Sequence, residues 1–128
     1  MTQEEKELLV RDLCARLPYG VKCCICNFGE NTIRIKEDIL WSVQGDNILT
    51  LKSYVEKGEA YMYHQIKPYL FPLSSMTDEQ EKDVYEICKS YLIWYESKLI
   101  DFYHKNHLDY RGLIPMGLAI DATGLNIY

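Results

Sequence analysis

Three cysteines within four residues, Cys23, Cys24 and Cys26, and two histidines three apart, His104 and His107, are the side chains whose types and spacing could do chemistry. Thiolates and imidazoles ligate zinc, and a thiol beside an imidazole makes a nucleophile and its base. The cysteines lie in a β-type run, where neighbouring side chains point to opposite faces, so Cys23 should face away from Cys24 and Cys26. No second Cys pair or Cys-His pair at zinc-ligand spacing completes a tetrahedron. With Cys14 and Cys88 the cysteines number five, an odd set without the spaced framework of a disulfide scaffold. They read as reduced, buried apolar thiols, and no metal or other cofactor is expected. His104 and His107 close a helical stretch, where positive charge is favoured by the helix dipole, a simpler use than a metal or catalytic pair.

The segment Asp109-Tyr110-Arg111-Gly112 sets an acid, an aromatic ring and an arginine beside a flexible glycine. It reads either as a recognition loop or as a structural lock, in which Arg111 bonds carboxylates or helix-end carbonyls and Gly112 supplies an unusual backbone angle. Gly112 and Gly117 have the interval of a phosphate loop, but Leu118-Ala119 stands where lysine and a hydroxyl would be needed. Neither a Gly-x-Ser-x-Gly nor a His-Glu-x-x-His motif occurs, and no catalytic residue is assigned. Were there a ligand pocket between sheet and tail, Tyr110, Arg111 and Asp121 would be its polar groups, suited to phosphate or carboxylate. Tyr61 and Tyr63 share one parity of a β-type run and could stack single-stranded bases, although cross-strand packing is the commoner use. Nucleic acid is an unfavoured partner, because fourteen basic residues against nineteen acidic ones form no basic run.

The elements that must position these residues follow from periodicity. Thr2 and Glu5 form a capping-box signature, and Leu9, Val10, Leu13, Cys14 and Leu17 recur at helical spacing until Pro18, giving a helix over 1–18. Region 19–67 reads as an antiparallel meander of about five strands: Val21 to Cys26, Thr32 to Lys36, Ile39 to Val43, Ile48 to Tyr54 and Ala60 to Ile66. The expected turns are Asn27 to Asn31, a Glu37-Asp38 bend, Gln44 to Asn47 and Glu56 to Glu59. Leu49, Leu51 and Val55 occupy what looks like the core parity. Region 68–77, with Pro68 and Pro72, reads as an extended connector. A second capping box, Thr77 with Gln80, opens a helical region over 78–107, either one unusually long helix or two divided near Ser90 or Ser97, where the middle has β character. Five acids against one lysine between Asp78 and Glu86 suit the start of that helix. The tail, 108–128, carries Leu113, Ile114, Met116, Leu118, Ile120, Leu125, Ile127 and Tyr128 and should dock on the body or on a partner.

The expected architecture is a single α+β domain: an N-terminal helix, a small antiparallel meander or SH3-like barrel, one or two C-terminal helices and a docked tail. No apolar run is long enough to span a bilayer, and the first residues are acidic rather than leader-like, so a cytoplasmic location is expected.

The segments Leu17 to Lys22, Ile66 to Thr77 and His107 to Tyr128 resemble an uncharacterised family of small proteins from gut Bacteroidetes and their prophages and mobile elements. They cover about a third of the chain. The resemblance implies a bacterial or phage setting and marks the C-terminal tail as a family signature, without implying a mechanism. Taken together, the expectation is a non-enzymatic accessory or interaction protein. Its surface tyrosines and Asp109 to Gly112 loop would engage a protein partner or a second copy. A single-strand binder and a small-ligand sponge are the alternatives.

Overall fold

The computed structural model describes residues 2–29, 32–44, 47–51, 55, 60–89 and 95–128, with backbone alone at 26–29 and 32–36. Lys52 to Tyr54, the Glu56 to Glu59 turn, the turn residues at 30–31 and 45–46, Ser90 to Trp94 and the Cys26 side chain lie outside this description.

The first helix, α1 (Gln3–Arg16), starts at the anticipated capping box, in which the Thr2 hydroxyl accepts from Glu5 N and a Glu5 carboxylate oxygen from Thr2 N. Its buried stripe differs from the apolar one. Leu9, Asp12, Leu13 and Arg16 face inward at helical spacing, whereas Cys14 is exposed. A single turn of 3₁₀-helix (Leu17–Tyr19) and Gly20, at φ 66°, then redirect the chain into the sheet.

β1 (Lys22–Gly29) pairs antiparallel with β2 (Thr32–Gln44). The two strands expected at 32–36 and 39–43 are therefore one. Glu37 and Asp38 sit opposite Cys24 and Cys23 within the ladder, because pairing along β1 satisfies backbone groups that a bend would leave open. In β3 (Asn47–Thr50) the buried parity is Ile48 and Thr50, opposite to the one expected, and Val55 is exposed. The register is set across β2, where Val43 faces Ile48 beyond a shift between Leu40 and Ser42.

The run from Ala60 to Gln65 is not a strand, and Ile66 belongs to the next one. Tyr61 makes one isolated bridge to Ile48, and Tyr63–Gln65 is a turn of 3₁₀-helix. The connector read after it is instead β4 (Ile66–Pro72), antiparallel to β1 with Cys23 facing Pro68. Past a further 3₁₀ turn (Leu73–Ser75), α2 (Asp78–Lys89) begins at its capping box, Thr77 with Gln80, and α3 (Tyr95–Lys105) follows. β5 (Leu108–Asp109) and β6 (Ile120–Asp121) both run parallel to β4.

The result is an α+β fold with a mixed six-strand open sheet, hydrogen-bonded in the order β3-β2-β1-β4-β5 with β6 also on β4. It is not a closed barrel, and the parallel pairs rule out a pure meander. Successive residues of a strand address opposite edges. Phe71 N donates to His107 O beside β5 and Ala122 N donates to Leu70 O beside β6, so the two short strands flank β4 on opposite edges. Pro68 shares the Leu70 edge, where β6 pairs only from Tyr69 onward, so its missing N–H breaks no pairing with β6.

Alternation along β4 builds two cores. Ile66 and Leu70 join Leu9, Leu13, Cys23 and Ile48 beneath α1, whereas Tyr69 joins Cys24 and Ala122 on the other face. Cys23 and Cys24 thus face opposite ways, as expected on a strand. Leu113, Leu118 and Ala119 of the tail pack into the α1 face, and Ile120, Ala122 and Ile127 pack on the other, so the tail wraps from one face to the other at β6.

Tyr128 finishes the wrap. The next register pair after Cys23 and Pro68 would be Lys22 and Tyr69; there the Tyr128 hydroxyl accepts from Lys22 N and donates to Tyr69 O, each at 2.8 Å. Its ring stacks on His107 at 3.8 Å and 11°, and the Lys22 ammonium donates to Ile127 O. Replacing Tyr128 with Phe keeps the ring but strips two backbone groups of their partner. Urea denaturation should register a loss of about 1–2 kcal/mol with an unchanged slope.

Candidate functional site

The polar groups of the tail meet α1 in the interior. Asp12 and Arg16, one turn apart, are both fully buried, with Arg16 Nε donating to Asp12 Oδ2 at 2.8 Å. Arg16 Nη2 donates to Leu108 O at 2.7 Å, fastening α1 to β5 across 92 residues of sequence. Arg111 Nε lies 3.2 Å from Asp12 Oδ1, an ion pair without the alignment of a hydrogen bond. One buried carboxylate thus holds two guanidiniums, Arg16 from its own helix and Arg111 from the tail. Sequence reasoning passed over Asp12 and Arg16. Their opposite charges four residues apart were the available signal, but that pattern usually marks a solvated helix face.

Aromatic rings close the cluster. The Arg111 and Arg16 guanidiniums lie 5.0 and 5.6 Å from the Tyr110 ring centre, and Tyr103 stacks on Tyr110 at 5.3 Å. His104 Nε2 and the Tyr110 hydroxyl share a hydrogen bond of 2.8 Å. Burial, then the Arg16 charge, push the His104 pKa below its ordinary value, which keeps the ring neutral. His107 is lowered further, to about 4, by burial and then by Arg16 and Lys22. The cationic helix end expected from the two histidines is therefore not supplied by them. Instead His107, at φ 56°, terminates α3 in the left-handed region and stacks on Tyr128.

Asp109 is buried, and its two carboxylate oxygens accept from Leu113 N and Ile114 N, each at 2.9 Å. With Gly112 at φ 75° and Gly117 at φ 76°, this clamp folds 113–117 into a tight turn closed by Leu118 N donating to Leu113 O. Asp109, Tyr110, Arg111 and Gly112 are thus brought together, and the described polar contacts of their side chains are internal. Asp121 is not joined to them by any described hydrogen bond or ion pair. It is exposed in β6, accepts from Thr123 N at 2.9 Å, and has its pKa lowered by those Thr123 bonds. Tyr61 and Tyr63 are half-buried against the core, and Lys6 Nζ lies 4.4 Å from the Tyr63 ring centre.

The clamped turn leaves Pro115 and Met116 exposed at its tip. Met116 lines an open groove of about 540 Å³ on α1 together with Thr2, Glu4, Glu5, Glu7, Leu8 and Arg11. A second groove of about 420 Å³ runs between α2 and α3, with Ile87 and Phe102 among Asp83, Glu86, Lys105 and Asn106. Among the described residues no three His, Cys, Asp or Glu side chains are grouped to hold a metal ion. Cys23 and Cys24 are both buried, and burial pushes the Cys23 pKa up and away from thiolate chemistry. Among the described residues no helix is long and apolar enough to cross a membrane.

The fold is α+β, with the Asp12–Arg16 ion pair buried in its interior. Comparison with protein-family models, curated proteins and solved structures finds no match to this chain.

Asp12→Ala, which strands two guanidiniums, should destabilise by about 3–5 kcal/mol in chemical denaturation, whereas Arg111→Ala, at the partly exposed end, should cost about 1 kcal/mol. A pH series tests the histidines. His107 titrates near 6.5 when unfolded and about 4 when folded, so the unfolded chain binds the extra proton in between. Its contribution is complete above about pH 6.5 and is lost as pH falls toward 4. His107→Gln should flatten that part of the stability profile, leaving the carboxylate-driven loss at lower pH.

Proposed function

We propose that the protein is a non-enzymatic interaction module whose contact surface is the Pro115–Met116 turn together with the groove on α1. One observation carries this reading: a buried carboxylate, Asp109, holds rigid a turn whose tip shows apolar side chains to solvent. A buried charge is costly and is retained where a fixed geometry is needed. Rigid presentation lowers the entropy cost of binding, so an exposed Met tip that lines the groove with Leu8 is suited to anchoring a partner. Its neighbours Arg111 and Tyr110 brace the base of the turn from within. The glutamates around the groove oppose a nucleic-acid backbone.

Tagged wild-type and Met116→Glu chains, passed through a lysate of a gut Bacteroidetes host, test the reading. A stoichiometric protein should be captured by the wild type and lost with Met116→Glu at unchanged melting temperature. Light scattering of the pure protein checks whether the partner is a second copy. Capture indifferent to Met116 would sink the proposal.

A further inference from the structure

We propose that residues 123–128 form an acid-released strap, latched by the stack of Tyr128 on His107 and lifted when the His107 ring takes up a proton. The hold of this segment is concentrated at its far end. Thr123, Gly124, Leu125 and Asn126 are exposed, and their described bonds are local, Thr123 N to Asp121 Oδ1 and Leu125 N to Ala122 O. At the far end Lys22 Nζ donates to Ile127 O, the Tyr128 hydroxyl joins Lys22 N to Tyr69 O, and the Tyr128 ring lies on His107 at 3.8 Å. Beneath it are Tyr69, buried, and Phe71, whose ring centre is 5.8 Å from that of Tyr128. Lifting the strap therefore bares apolar side chains on the sheet face away from α1.

The latch accepts a neutral imidazole and opposes an imidazolium. His107 Nδ1 is buried without a hydrogen-bond partner, and an imidazolium, protonated on both nitrogens, would leave a charged donor unmet there. Two cations already flank the ring: Arg16 of α1, whose Nη2 holds the carbonyl of the next residue, and Lys22 of β1, whose ammonium lies 5.9 Å from the Tyr128 ring centre. The carboxylates of the packed elements are engaged elsewhere, Asp12 by Arg16 and Arg111, Glu37 of β2 by Lys22 at 3.4 Å, and Asp109 of β5 by two backbone amides. His104 of α3 is bonded to Tyr110. The face of Tyr128 is the one attraction a cation would find. Burial, Arg16 and Lys22 outweigh it and hold the His107 pKa at about 4, whereas a ring released to water returns toward 6.5. The lifted state thus binds the extra proton, and acid favours it. Asp121, which holds Thr123 N, has its pKa below the ordinary carboxylate value, so acid reaches His107 first.

Hydrogen exchange of the full chain, followed by NMR between about pH 7 and about pH 4.5 and corrected for intrinsic rates, reads the strap through Lys22 N, which is bonded to the Tyr128 hydroxyl. Leu40 N, bonded to Val21 O in the neighbouring ladder, is the reference. Protection at Lys22 should fall about tenfold per pH unit below about pH 6.5 while Leu40 holds. The His107 ring resonances should titrate far below their ordinary range, together with loss of the Tyr128 ring-current shift. His107→Asn, a residue suited to left-handed backbone, should leave Lys22 protection independent of pH in this range, whatever its baseline. If that variant does not fold, the wild-type ring titration decides. Lys22 protection that ignores pH in the wild type, an equal fall at Leu40, a slope retained in His107→Asn, or a His107 ring titrating near 6.5 with the strap shut would each overturn the inference.

Discussion

A carboxylate and a guanidinium buried side by side on α1 constrain everything C-terminal to them. Taking Asp12 and Arg16 out of water costs several kcal/mol per ion, which their mutual attraction offsets only if the remaining donors and lone pairs find partners. Partners come from far along the chain: Leu108 O accepts from Arg16 Nη2 and Arg111 pairs ionically with Asp12 Oδ1, while Arg16 Nη1 keeps no hydrogen-bond partner among the described residues. The helix therefore cannot sit on the sheet in this way unless the end of α3, β5 and the start of the tail are in place. Apolar packing alone would tolerate sliding of α1 over Cys23, Ile66 and Leu70, whereas a charged pair with directional partners admits one registration.

The same constraint accounts for the mixed sheet. Fastening Leu108 near α1 brings residues 107–109 alongside β4, where Phe71 N takes His107 O. The chain then makes its Asp109-clamped turn, fills the α1 face with Leu113 and Leu118, and returns along the opposite edge of β4 as β6. Both short strands run parallel to β4, and neither continues the β1–β2–β3 ladder, so the sheet stays open. One side chain extends the β1–β4 pairing: the Tyr128 hydroxyl takes the place of a backbone pair between Lys22 and Tyr69.

Local signals were legible in the sequence, and tertiary ones were not. Both capping boxes, the separation of Cys23 from Cys24, the two C-terminal helices and the tail's attachment follow from chemistry within a few residues or from apolar content. The β4 assignment failed because prolines exclude helix without excluding a strand, and the missing N–H of Pro68 matters only once its edge is known. The parity of β3 failed because Leu49 and Ile48 are equally apolar, and the register across β2 decides between them. Asp12 and Arg16 were invisible for a related reason. Periodicity assigns charge to the outer face of a helix, and only the distant carbonyl and Arg111 make burial affordable. In the tail, the Asp109 to Gly112 cluster was legible as residues that could lock or recognise, yet its geometry required knowing that Arg111 finds a carboxylate on α1.

Interior chemistry of this kind constrains where function can reside. His104 and His107 are held neutral, Cys23 is kept protonated, and Asp109 is saturated by two backbone donors. A group that is neutral, dry and bonded at short distance is poorly placed to exchange protons or attack a substrate, because each such step must first break the packing that positions it. The same saturation makes a rigid support. A turn held at its base by a doubly bonded carboxylate, and behind that by two guanidiniums on one aspartate, moves little when something touches its tip. What reaches solvent there is Pro115 and Met116, the latter lining one groove with Leu8 and three glutamates.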